Sequence, residues 1–204
     1  FISMLSLSSW NFFGNISFSL IHEGINMLLN IHGGIILNSS RAIAYQVKNL
    51  TNQVSNNALV AVRPGIMQQS VTKGQDQFFD DIFLLSRFSY FILSIVIFPI
   101  FIYCPQLLKI WLGSYPEMTV IFTRLVLISL FIRSLHEPIN MMNMSYAKIK
   151  KQILVESVIM VTCFVLLDRT YNEDSHYVYP FIVLCFMEGL VMIGLVINAG
   201  IELD

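Results

Sequence analysis

The sequence predicts an all-α protein, a polytopic transmembrane helix bundle with about six spans. Hydrophobic residues make up 55% of the chain and charged residues only 12%, whereas soluble domains typically carry about 25% charged residues. The apolar residues are also gathered into long runs that short polar segments separate, a pattern typical of helices that cross a bilayer. We expect one membrane domain over residues 1–204, and a longer parent protein because the chain begins with Phe1 rather than Met.

Six segments are long and apolar enough to be predicted as spans. Their approximate limits are 10–32, 35–62, 88–104, 118–142, 153–167 and 177–199. The third and the sixth are the clearest, because each is a nearly continuous apolar run, and the sixth begins with the tyrosines that favour a membrane interface. The pair Gly33-Gly34 separates the first two spans and indicates a turn. We assign 106–117 to a polar connection.

The basic residues outside the spans predict the orientation of the chain. Six of them flank or lie in the second and fourth connections: Arg63, Lys73, Arg87, Lys148, Lys150 and Lys151. The other connections hold only Lys109 and Arg169. Because positive residues are enriched in cytoplasmic loops, this distribution places both ends of the chain in the cytoplasm.

The second span carries a polar stripe that contrasts with its apolar surroundings. Arg41, Tyr45, Lys48 and Asn52 recur at helical spacing and share one face, with Asn49 beside them. A lysine or arginine facing lipid at a helix centre costs about 2.5–3.5 kcal/mol. We therefore expect these side chains to face a hydrated interior. A helix that lies flat on a membrane or in a soluble domain remains the alternative for this segment.

A second polar stripe lies on the first span. It consists of Asn15, Ser19, His22, Asn26 and Asn30, with Glu23 adjacent. Two neighbouring helices with polar stripes are expected to line one water-filled cavity. The alternative is that the polar residues only join packed helices, as serines and asparagines often do in membranes. His22, Glu23 and Glu188, which is a lone acid in the sixth span, are candidates for ion coupling.

The fourth span contains two arginines that need partners. Arg124 lies near one end, where its side chain can reach the interface. Arg133 lies deeper, and Glu137 four residues later is a possible ion-pair partner on the same helix face. Arg133 is also a candidate cavity residue.

The sequence gives little evidence for an enzyme, a metalloprotein or a nucleic-acid-binding protein. The sequence has no phosphate-binding Gly-Lys-Ser loop, no HExxH and no catalytic triad at recognisable spacing, so we predict no catalytic residue and no cofactor. The three cysteines, Cys104, Cys163 and Cys185, are isolated and do not have metal-ligand spacing. The net charge of −1 argues against a nucleic-acid partner.

Several motifs resemble one transporter family. They are Trp10–Gly14 (WNFFG), Gly24–Asn30 (GINMLLN), Asn38–Val47 (NSSRAIAYQV), Ile110–Gly113 (IWLG), Pro116–Thr119 (PEMT) and Phe122–Leu125 (FTRL). In these segments the chain resembles the bacterial polysaccharide (O-antigen) flippases of the multidrug/oligosaccharidyl-lipid/polysaccharide exporter superfamily. The resemblance covers most of residues 3–150, and Ala44–Val47 with the upstream Arg41 is its most specific part.

The resemblance implies a fold, a function and a location. Such flippases have two six-helix lobes, so this chain is expected to be the second lobe, with the N-terminal lobe of the same protein as its partner. They move an undecaprenyl-diphosphate-linked oligosaccharide across the bacterial inner membrane by alternating access. Their cationic cavity implies a substrate-binding role for Arg41 and Lys48. The segments around Glu23, Gly33 and Arg63 depart from the family pattern.

Three other functions remain open. A drug/cation antiporter of the same superfamily would use acids such as Glu23 or Glu188 with a sodium or proton gradient. A membrane assembly subunit that transports nothing would use the polar stripes to bind partner helices. A membrane glycosyltransferase or polymerase is disfavoured because the sequence has no large extracytoplasmic loop.

Overall fold

The computed structural model describes residues 2–60, 75–135, 149–171 and 176–201. In these ranges it contains six helices and no strand, which confirms the predicted all-α class. The helices are α1 (Ile2–Val60), α2 (Gln75–Ile102), α3 (Cys104–Leu112), α4 (Met118–Ser134), α5 (Ile149–Thr170) and α6 (Tyr179–Ile201). The six predicted spans fall largely on the two halves of α1 and on α2, α4, α5 and α6, with 61–62 and 136–142 outside the described residues.

Helix α1 is broken at Gly34 into two halves, which we call α1a (2–33) and α1b (35–60). Gly34 has φ 65° and ψ −165°, a region that is open to glycine and strained for other residues. Beyond this point the chain folds back on itself, since the guanidinium of Arg41 in α1b contacts the carbonyl oxygen of His22 in α1a at 2.8 Å. The turn predicted at Gly33-Gly34 is confirmed.

A short helix replaces part of the polar connection that we assigned to 106–117. Helix α3 starts at Cys104 with Pro105 in its first turn, where a missing N–H leaves no intrahelical bond unmade. It buries Cys104 and Leu108. It ends at Gly113, whose φ of 71° turns the chain out of the helix. Helices α2 and α3 meet at an angle of 78°.

The main core lies where α1, α4, α5 and α6 meet. Phe122 of α4 stacks on Phe181 of α6 with 4.2 Å between ring centroids, and both side chains are fully buried. Helix α5 packs so closely against α1a that a Cβ at Gly24 would collide with the ring of Phe164. A smaller apolar cluster, made by Leu93, Ile97, Leu127 and Leu130, joins α2 to α4.

Large apolar side chains cover much of the outer surface. Examples are Ile95 in α2, Ile110 in α3, Val158 in α5 and Phe186 in α6, all of which are exposed. In the described ranges, only the pair formed by 87–102 and α3 has the length and apolarity of a membrane span, and that pair is bent; no helix meets the requirement by itself.

Candidate functional site

A polar cavity of about 650 Å³ lies between α1, α2 and α4. Both halves of α1 contribute to it: the stripe of the second span faces it, and from the stripe of the first span Ser19, His22 and Glu23 do, whereas Asn15, Asn26 and Asn30 are not part of its lining. Eight of the nine predicted site residues line it: His22, Glu23, Arg41, Tyr45, Lys48, Asn49, Asn52 and Arg133. The ninth, Glu188, contacts Arg133. Local helical spacing and one glycine turn are sufficient to bring most of this set together.

His22 connects the two halves of α1 at the cavity wall. Its carbonyl oxygen accepts a hydrogen bond from Arg41 Nη2 at 2.8 Å, and its ring Nδ1 is hydrogen-bonded to the Tyr45 hydroxyl at 3.1 Å. The rings of His22 and Tyr45 also meet edge to face, 5.5 Å apart. These contacts fix the position of Arg41 and Tyr45 relative to α1a. These contacts give His22 a structural role. Its role in ion coupling stays a prediction.

The Tyr45 ring lies next to two cations of its own helix. Arg41 Cζ is 4.6 Å from the ring centroid and Lys48 Nζ is 5.1 Å from it. Such cation–π contacts stabilise a positive charge without neutralising it. Within the described part of the chain, Lys48 makes no hydrogen bond and has no carboxylate within ion-pair distance, although Glu188 acts on it electrostatically from farther away. The Lys48 ammonium therefore has all three of its donors available for a ligand.

Arg133 is held by contacts from two other helices. Its Nη1 atom is 3.3 Å from Oε1 of Glu188 in α6, and its Cζ is 4.7 Å from the Phe18 ring centroid in α1a. The Glu188 carboxylate is almost completely buried, whereas the Arg133 side chain is 41% exposed. The pairing that we predicted with Glu137 lies outside the described residues, and the structure assigns Glu188 to Arg133.

Two buried hydrogen-bonding atoms of the cavity wall have no partner in the described residues. One is Nε of Arg41, whose guanidinium was predicted to belong to the site. The other is Oγ of Ser89 in α2, which the sequence analysis did not single out. A lone serine in an apolar span gives no periodic signal, and only packing shows which way it points. Asn56 and Ser134 also line the cavity without having been predicted.

The balance of charge makes the cavity suited to an anion. Three cationic side chains line it, Arg41, Lys48 and Arg133. The acids are Glu23, which accepts a hydrogen bond from Asn26 Nδ2 at 3.2 Å, and Glu188, which pairs with Arg133. The remaining polar lining is neutral. Over the residues that the structure describes, no group of three His, Cys, Asp or Glu side chains is placed to bind a metal ion.

Comparisons with protein-family models, with curated proteins and with solved structures find no match.

Proposed function

We propose that this chain is one lobe of a membrane transporter that moves an undecaprenyl-diphosphate-linked oligosaccharide across the bacterial inner membrane by alternating access. The observation that carries the proposal is the Lys48 ammonium, which lies beside Arg41 in a polar cavity and makes no hydrogen bond or ion-pair contact in the described residues. A partly buried cation that has no carboxylate in contact is stabilised when a ligand supplies the negative charge.

A diphosphate is the anion that fits this arrangement best. Its two or so negative charges interact more strongly with cations inside a low-dielectric cavity than in water. Arg41 offers a planar guanidinium and Lys48 a compact ammonium, the two groups that proteins use for phosphates. Arg133 is a third cation on the facing helix, and it can pair with either Glu188 or the ligand.

The distribution of polarity supports a membrane location. The cavity wall is polar, whereas large apolar side chains such as Ile95, Ile110 and Phe186 are exposed on the outside. Extended exposed apolar surface marks contact with a partner or with lipid. A polar interior inside an apolar shell is the arrangement that a transporter for an amphiphile requires, because the acyl chains stay in lipid while the headgroup passes through the protein.

A lipid flipping assay tests the proposal. The full-length protein is reconstituted into liposomes together with a fluorescent undecaprenyl-diphosphate-linked oligosaccharide, and a membrane-impermeant glycosidase reports the fraction exposed outside. We expect the protein to accelerate movement of the lipid, and protein-free liposomes serve as the control. Movement of cationic dyes along an imposed sodium gradient, with no effect on the lipid, would instead identify the cation antiporter.

A cysteine at position 52 distinguishes a cavity from a packed interface. In a cysteine-free background, we expect Asn52→Cys to react with a membrane-impermeant thiol reagent because Asn52 lines the open cavity. Ala44→Cys is the matched control on the same helix, since Ala44 is fully buried in the core and should stay unmodified. Protection of position 52 to the same degree as position 44 would favour a non-transporting assembly subunit. Mass spectrometry measures both rates.

A further inference from the structure

The hydroxyl of Ser89 differs from most other hydroxyls in the helices of this protein. Serine and threonine in helices usually donate to a carbonyl oxygen three or four residues earlier. Ser40 and Thr51 do this in α1b at 3.0 and 2.8 Å. On the same helix as Ser89, Ser94 donates to the carbonyl oxygen of Tyr90 at 2.7 Å. Backbone geometry in α2 therefore permits this bond, and Ser89 does not make it.

Ser89 is also buried at the cavity wall. Only 9% of the residue is exposed, its Oγ atom has no hydrogen-bond partner in the described residues, and it borders the cavity. A buried hydroxyl without a partner destabilises the protein, and buried polar groups in native proteins are nearly always satisfied. Among the partnerless buried hydroxyls of the described residues, which also include those of Thr119 and Tyr171, the Ser89 hydroxyl belongs to a residue that borders the cavity, so a ligand or water there can supply its partner.

The contacts of α2 with α4 place Ser89 near the Arg133 end of α4, and neutral polar side chains line other parts of the same cavity. Helices α2 and α4 run antiparallel, since Phe101 contacts Arg124 whereas Tyr90 contacts Phe131. The wall formed by α2 contributes Ser89 and Leu93 and carries no charge. On α1b the carboxamides of Asn52 and Asn56 lie one turn apart on one face, beyond Lys48.

The cavity has room for a ligand larger than a phosphate group. A volume of about 650 Å³ is that of a site for a drug-sized molecule. The cationic side chains of the cavity would bind the anionic part of such a ligand. The neutral donors and acceptors of the lining are then available for its uncharged part. A serine hydroxyl can both donate and accept a hydrogen bond, and a carboxamide does so through its nitrogen and its oxygen. Such groups can pair with sugar hydroxyls, which also donate and accept.

We propose that Ser89 hydrogen-bonds a sugar hydroxyl of the ligand and is a specificity-determining residue, in a subsite to which Asn52 and Asn56 contribute neutral groups from elsewhere in the same cavity lining. This subsite rests on the proposed function, because it places the glycan of the same amphiphile beside the diphosphate site. A site that hydrogen-bonds a hydroxyl discriminates against ligands that lack it.

Two probes separate the subsite from the anion site. Farnesyl diphosphate carries the anion alone, and farnesyl diphosphate linked to N-acetylglucosamine adds one sugar. Binding of each probe to the full-length protein in nanodiscs is measured by calorimetry. We expect Ser89→Ala to weaken binding of the glycosylated probe by about three- to tenfold, the effect of losing one hydrogen bond, and to leave farnesyl diphosphate unchanged.

Ser94→Ala is the matched control, since it removes a serine hydroxyl from the same helix but one that is bonded to the backbone. We expect it to change the affinity for neither probe. Two outcomes for Ser89→Ala overturn the subsite: unchanged affinity for both probes, which means that the hydroxyl meets only water, or equal weakening of both, which assigns it to the phosphates.

Failure of the proposed function gives a different result. If the wild-type protein binds neither probe, the anion site and the subsite are both wrong. If it binds both probes equally well, the anion site stands and the subsite alone is overturned. Unfolding temperatures of the two serine variants show whether either one has lost its fold.

Discussion

Replacing both Arg41 and Lys48 by glutamine in the full-length protein should abolish transport of the lipid-linked glycan. Each side chain supplies charge-assisted hydrogen bonds, which contribute about 1.5–3 kcal/mol apiece. Loss of both should therefore weaken binding of farnesyl diphosphate by about a hundredfold or more. The flipping assay measures transport, and calorimetry in nanodiscs measures affinity.

Two further variants make this result specific to the charges. Lys109→Gln removes an exposed cation in the last turn of α3, outside the cavity, and should leave both affinity and transport unchanged. Arg41 also supports the α1 hairpin through the His22 carbonyl oxygen, so Lys48→Gln alone separates binding from folding, since no such bond involves Lys48 in the described residues. Full transport by the double variant would remove the basis of the proposed function.

Phe122→Ala should lower the free energy of unfolding by about 3–5 kcal/mol, the usual cost of deleting a buried aromatic ring. Phe122 is fully buried, and its ring stacks on Phe181 at 4.2 Å, which connects α4 to α6. The substitution leaves a cavity in the core that rigid helices close only in part. Thermal unfolding in detergent, followed by circular dichroism, measures the loss as a lower melting temperature.

Phe186→Ala is the control for this prediction. Phe186 lies in α6 like Phe181, but it is 64% exposed, so its replacement should change the free energy of unfolding by about 0.5 kcal/mol or less. Equal effects of the two substitutions would mean that the stack between α4 and α6 contributes nothing particular to stability.

The features that could be predicted from the sequence are those that local spacing determines. Helical periodicity placed Arg41, Tyr45 and Lys48 on one face, and the two glycines after His32 indicated where the chain turns. The cost of cations in an apolar setting indicated that this face points inward. Together these rules predicted the all-α class and the group of side chains that the structure brings to the cavity.

Features that depend on packing between distant helices could not be predicted. The partner of Arg133 is Glu188, 55 residues away, and no spacing rule connects them. The role of Ser89 depends on which side of α2 meets the cavity, and a nearly continuous apolar run does not reveal that. Helix α3 was missed because it has only nine residues, too few for a clear periodic pattern, and lies between the third and fourth predicted spans, although Pro105 at its start favours a helix.

The fold-back at Gly34 has a consequence for insertions and deletions. The number of residues between Gly34 and Arg41 determines the direction in which the side chains of α1b point around the helix axis. Each added residue changes that direction by about 100°. One extra alanine after Ile36 would leave the turn at Gly34 in place but rotate both cations out of the cavity and break the bond from Arg41 to the His22 carbonyl oxygen. Seven extra residues would nearly restore their direction while moving them about 10 Å along the axis. Chain length, as much as residue identity, is thus part of what defines this site.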